Sequence, residues 1–411
     1  MLITGAAEPS AESYIAALNA RMGGTRLVTV ADPVQSKAAP DWTPDAMTPS
    51  PIFAGGNLAA GLAYGDLNAV AVGTTTLVCG ERVVAFGHPL NAVGASSYSM
   101  HSADAVFVQP DAFSGPFKVA NTGPVVGTVD QDLFPGISGV LGVLPATVAV
   151  TTSLSTRGRA PVLGRTDVVD RSVLADAAAL HTLLNVERVL RYAGAGSSSI
   201  MLTVSGTRAD GSPFVVTWSG KASSETIDRA TADEVYMTVQ AFESQTSEDV
   251  VITAIDVTGT VEPVQRSVSI ASLQAEQGGV YVDLADQVSV QAGTTLAVRA
   301  QLVPTGGTGP TTPLDLSLQI PTDFTGGFLQ FSAGMAFSPG QAVFAGDFDA
   351  FLAALANGPG PDQLVVRLVP NVPESLPPDA PLPPTIEAHA TADASIEPFT
   401  AFATVSALPS A

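Results

Sequence analysis

The chain has 411 residues, 46% of them hydrophobic, so there is enough apolar material for two or three cores. Seventeen Lys and Arg stand against 38 Asp and Glu, a net charge of −21, which excludes nucleic acid as a partner because phosphate recognition needs clustered cations. Charged residues are only 13% of the chain, about half of the usual ~25%, and one cysteine, Cys79, excludes an intramolecular disulfide and a thiolate metal cluster.

MLITGAAEPSAESYIAALNARM has neither a basic leader nor a continuous apolar run, so it does not read as a signal peptide. It predicts a short helix capped by Ser10, with Tyr14, Ile15, Leu18 and Met22 on one face. A strand at Leu27–Val30 and a proline-spaced linker from Asp32 to Pro51 follow, closing a first segment at residues 1–51. No stretch is apolar for 18 residues, so no membrane span is expected. Only three of the basic residues are lysines, Lys37, Lys118 and Lys221, which also speaks against phosphate binding. Either the protein is cytoplasmic or the sequence begins after a leader, and the sparse charge favours the second, an extracellular or cell-envelope protein. A leader upstream of Met1 is therefore expected.

From Ile52 the pattern is mainly β. LNAVAVGTTTLV and RVVAF flank Gly80–Glu81, a two-residue II′ hairpin turn, and ADAVFVQ, GPVVGTVD and ATVAVTTSL continue the strands. One long helix interrupts them: Val173, Ala177, Leu180 and Leu184 share a face, Asp170 caps the start and Gly194 the end. SIMLTVSG and PFVVTWSG then form a hairpin about Asp210–Gly211, with Ile200, Leu202, Val204, Phe214, Val216 and Trp218 inward. Residues 52–262 make one domain on this reading. Short strands from Val264 predict a small antiparallel β-sandwich over 263–370, completed by a helix in FDAFLAALANGPG and a strand in QLVVRLVP. The Pro/Ala-rich tail, 371–411, is expected to be polyproline II or disordered. No internal sequence repeat is evident.

Phosphate loops, His-Glu-x-x-His, EF-hand loops and Gly-x-Ser-x-Gly elbows are absent, and no cofactor or metal is expected. His88, His101, His181 and His389 are scattered without metal-ligand spacing; His181 and His389 read as ordinary structural or exposed histidines. The segment GGNLAAGLAYGDLNAVAVGTTTLVCGERVVAFGHPL is another matter. Its Gly-Asp pair, Gly-Thr, two strands and Phe-Gly-His-Pro resemble the histidine-bearing region of the serine peptidases of the stage IV sporulation protein B (SpoIVB) type. FKVANTGPVVGTVDQDLFPGISGVLG is similar to a further block of that family, with Lys118, Gly127, Asp132, Gly136 and Gly139 in place, and GAGSSSIMLTVSG extends the likeness loosely.

The resemblance implies a β-barrel-like peptidase-type domain and assigns His88 as candidate general base, a role neutral imidazole suits near pH 7. It also implies a serine in Gly-Met-Ser-Gly-Ser-Pro near the end of the domain, and no such motif is present. Asp233, Ser244 and Ser247 fall near the places of the missing acid and serine but lack flanking glycines. Ser138, between Ile137 and Gly139, is a weak candidate nucleophile, and Lys118 a weak candidate base for it. The expectation is a degenerate, exported relative acting as a binding or structural module with a protein or peptide partner. The alternative is an active serine endopeptidase using His88.

Overall fold

The computed structural model of the protein describes residues 2–4, 11–12, 14–16, 28–30, 51–110, 116–284, 287–306, 309–334, 339–344, 346–372 and 383–408. It is mainly β, as the residue pattern predicts. Of the expected N-terminal helix, residues 11–12 and 14–16 are helical, and Tyr14 and Ile15 are buried; Ser10, Leu18, Met22 and the linker to residue 50 lie outside the described residues.

Two short strands come first, β1 (Leu2–Thr4) and β2 (Val28–Val30). Six longer ones follow: β3 (Asn57–Gly65), β4 (Asn68–Cys79), β5 (Arg82–Ala85), β6 (Gly94–Gln109), β7 (Phe117–Leu133) and β8 (Gly136–Leu141). Antiparallel pairing runs β3–β6–β7–β8–β5–β4 and returns to β3, so the six close into a barrel without free edges. Strand alternation sets the interior: Leu58, Ala60, Val83, Ala85, Met100, Val129 and Ile137 point in and are buried. Crowding there requires glycine at 139, where a Cβ would lie 2.2 Å from the Thr128 carbonyl oxygen. Gly80 sits at φ +60° between β4 and β5, as the II′ turn demands.

Beyond the barrel, β3 also pairs with β10 of a sheet ordered β12-β11-β13-β9-β10, made of β9 (Val148–Ser155), β10 (Val162–Val168), β11 (Gly196–Thr207), β12 (Pro213–Ser224) and β13 (Val251–Glu262). The expected long helix, α1 (Leu174–Leu190), packs on β9, β10 and β13. It ends at Arg191, which is left-handed at φ +67°, three residues before the expected stop at Gly194. A second helix, α2 (Ile227–Ser244), packs on α1, β11 and β12 and was not among the expectations. Its charges mask the stripe Ile227, Val235, Val239 and Phe242, all buried. Each of two hairpins is thus followed by a helix, and β13 enters between them, parallel to β9 and antiparallel to β11. The repeat that the sequence does not display exists in topology.

The remaining strands form the expected sandwich. One sheet runs β15 (Val280–Asp283), β14 (Ser267–Gln277), β17 (Thr295–Pro304), β18 (Thr312–Gln319). The other runs β16 (Gln287–Val290), β23 (Phe399–Ala407), β19 (Gly326–Ala333), β20 (Gln363–Pro370), β21 (Ile386–Thr391), and β22 (Ser395–Ile396) joins β14. This corrects the expected disorder of residues 386–407: Ile386, Ala388 and Ala390, then Phe399, Ala401, Ala403 and Val405, alternate toward the sandwich core, and β23 is an interior strand. Residues 373–382, the proline-rich part that prompted the expectation, lie outside the described residues.

Between β19 and β20 the chain leaves the sandwich. The predicted helix, α3 (Phe348–Ala356), docks on the first unit instead, where Phe351 meets Phe242 at 5.0 Å between ring centroids and Phe348 meets Phe214 at 5.2 Å. Trp218 Nε1 donates to the Gly358 carbonyl (3.1 Å), Lys221 Nζ donates to the Ala392 carbonyl (2.9 Å), and Arg208 bridges Glu248 and Asp349 while lying over the Phe348 ring. No helix among the described residues is long and apolar enough to cross a membrane.

Candidate functional site

The histidine of the Phe-Gly-His-Pro segment sits on a loop that leaves the barrel after β5. Phe86 and Gly87 are both left-handed at φ +75°, and Ala92 at φ +58° and Gly94 at φ +80° follow. A non-glycine residue held there costs about 1–3 kcal/mol and needs support from its surroundings. For Phe86 that support is its ring, which fills the space over Gly73; a Cβ at 73 would lie 2.2 Å from it. The Phe86 N–H donates to the Thr74 carbonyl (2.9 Å). Below the loop Asp132, fully buried, accepts from Leu90 N and Asn91 N, each at 2.7 Å, so one carboxylate spans both amides. Burial pushes the neighbouring Tyr98 phenol up to about 12, which keeps it neutral beside that carboxylate.

His88 is exposed at the top of this loop. Its Nδ1 lies 2.8 Å from the Pro89 carbonyl oxygen and its ring 5.7 Å from that of Phe86. Val93, later on the same loop, and Leu133 and Phe134, at the turn from β7 to β8, are exposed, Phe134 to 83%. No serine hydroxyl bonds to His88 among the described residues. Ser138 is in β8 opposite Val84; Ile137 and Gly139 point into the barrel, so Ser138 points out, on the side of exposed Val84. Lys118 belongs to β7, where its Nζ donates to Asn57 Oδ1 and Thr74 Oγ1, both at 2.8 Å. No hydrogen bond joins it to Ser138.

The other residues singled out by sequence lie elsewhere. Asp233, on α2, accepts from the Tyr14 hydroxyl at 2.5 Å; Ser244 ends α2; and the Ser247 hydroxyl donates to Gln245 Oε1. His181 is buried with Nδ1 2.9 Å from Thr166 Oγ1, and His389 Nε2 lies 2.6 Å from Glu387 Oε1.

A serine–histidine pair does exist, and sequence reasoning missed it. Ser99 Oγ is 2.8 Å from His101 Nε2, and His101 Nδ1 is 3.0 Å from the Gly123 carbonyl oxygen. Both residues are buried, and burial lowers the His101 pKa. The available signal was their spacing of two on one strand, which puts both on one face. Ser99 Oγ also lies 3.1 Å from the Gly61 carbonyl oxygen as a donor, so its single proton is shared between two acceptors. Among the described residues, no three His, Cys, Asp or Glu side chains come together as metal ligands. No protein-family model, curated protein or solved structure matches the chain.

Proposed function

We propose that this chain is a divergent, exported relative of the SpoIVB-type peptidases in which the barrel works as a binding or structural module for a protein or peptide. The observation that carries the reading is the position of His88. Its ring is bonded to the carbonyl of its own loop, with no serine hydroxyl in hydrogen-bond contact. Serine peptidase chemistry requires the nucleophile within about 3 Å of the base. The exposed Val93 of the His88 loop and the exposed Leu133 and Phe134 of the β7–β8 turn offer a partner apolar side chains. The sparse charge of the chain favours work outside the cytoplasm, and the net charge of −21 disfavours a nucleic-acid partner.

A second reading, an active serine endopeptidase with His88 as general base, is favoured by the strain and bracing of the loop, since such outliers gather at working sites. A fluorophosphonate probe and casein cleavage separate the two. The module reading expects no labelling of the native chain and no cleavage above a His88→Ala control. Labelling lost in both His88→Ala and Ser138→Ala overturns it and identifies Ser138 as nucleophile; labelling lost in His88→Ala alone overturns it and directs replacement to Ser244 and Ser247.

A further inference from the structure

Asn357 is the only asparagine of the chain that is followed by glycine. The pair stands at the end of α3, where Asn357 is the C-cap at φ −104°, ψ 4° and is exposed. Its N–H (3.1 Å) and its Nδ2 (2.8 Å) both donate to the Ala353 carbonyl, and the Gly358 N–H reaches the Leu355 carbonyl only at 3.3 Å. Among the described residues nothing outside α3 bonds to the Asn357 carboxamide. Pro359 disfavours the helical region for Gly358, so the helix stops short of the pair instead of enclosing it. On the far side of the bond the Gly358 carbonyl accepts from Trp218 Nε1, one of the contacts that dock this excursion on the first unit.

We propose that Asn357–Gly358 is a site of self-modification, in which Asn357 turns into aspartate and isoaspartate and the change unseats Gly358 from Trp218. The Gly358 nitrogen, giving its proton to a solvent base, attacks Cγ of Asn357. The N–Cγ bond forms and the Cγ–Nδ2 bond breaks, the side-chain nitrogen leaving as ammonia with a proton from water. Water then opens the cyclic imide at either carbonyl. Glycine brings no Cβ to obstruct the closure and gives its backbone the widest freedom to swing. Closure requires ψ of Asn357 to leave 4°, so the step waits on fraying of the last turn, a local opening far cheaper than global unfolding. Both products place a new carboxylate at the C-terminal end of α3, against the negative end of the helix dipole. The isoaspartyl product also routes the main chain through the former side chain and lengthens the link between α3 and Gly358. Each change works against the Trp218 bond.

The test ages the full chain in mildly alkaline buffer and follows it by peptide mass mapping. A Trp42→Phe background leaves Trp218 as the single tryptophan. The peptide holding Asn357 should gain one mass unit. Asn371, exposed but followed by valine, should stay intact over the time in which half of Asn357 converts. Trp218 emission should shift to the red in step with the mass gain. Asn357→Gln, whose longer side chain closes a ring far more slowly, should abolish both the gain and the shift. An Asn357 that stays unchanged, or converts no faster than Asn371, overturns the proposal. So does conversion that leaves Trp218 emission where it was, or a shift that persists in Asn357→Gln. None of these readouts depends on His88, so this test and the labelling test fail separately.

Discussion

Asp132 is the residue on which the His88 loop rests, and replacing it gives the sharpest test of that account. Its two oxygens each accept one backbone N–H at 2.7 Å, in a site closed to water. Hydrogen bonds to a charged group contribute about 1.5–3 kcal/mol each, so Asp132→Ala should destabilise the chain by about 3–6 kcal/mol. Asp132→Asn is the more discriminating change. An amide keeps one acceptor and turns an NH2 toward the second backbone donor, so the near-isosteric variant should lose at least half as much as the alanine. Urea unfolding of both variants gives the free energies, and the His88 ring signals in NMR report the loop. Losses below about 1 kcal/mol in both, with unchanged His88 signals, would refute the claim that one carboxylate holds the turn.

Other parts of the molecule give equally definite expectations. Phe351→Ala, at the docking face of α3, should cost about 3–5 kcal/mol and should lower the unfolding midpoint reported by Trp218, which is in the first unit; an unchanged Trp218 transition would mean the two units are not coupled there. Burial raises the Glu234 pKa from 4.5 to about 8, with Asp362 and Asp233 adding to the rise. The folded state then holds a proton that the unfolded state releases, so stability should fall as pH climbs from about 4.5 to 8, and Glu234→Gln should flatten that slope. In limited proteolysis, residues 386–407 should resist cleavage as well as the strands of the barrel do, because β23 is hydrogen-bonded on both sides.

Much of the β architecture was legible because alternation is a strong signal: the hairpin about Asp210–Gly211 pairs Ile200 through Val204 with Val216 through Gly220, as the pattern requires. Helix α1 was equally plain from its apolar spacing. Helix α2 was not, since Asp228, Arg229, Asp233 and Glu234 interrupt its stripe and two of these four are buried. The final strands were hidden by the prolines before them, whose composition outweighed a short alternation of Ile, Ala, Phe and Val. At the candidate site, sequence pointed to His88 and to the Asp132 block, and the fold sets Asp132 of β7 under the His88 loop. Ser138 and Lys118, by contrast, are neighbours of that region in sequence but face other partners. Ser99 and His101 escaped notice because a Ser-x-His spacing on a strand is commonplace, and only the fold buries both side chains.

The interior place of β23 has a consequence for the making of the protein. Gln287 of β16 pairs with Thr404, so β16 emerges from the ribosome more than a hundred residues before its partner. At about 5–20 residues per second it waits on the order of ten seconds. The aromatic face of Phe214 and Phe242 waits likewise for Phe348 and Phe351. During synthesis the growing chain therefore carries an unpaired sheet and an uncovered apolar surface at once, the condition in which a nascent polypeptide depends most on a chaperone.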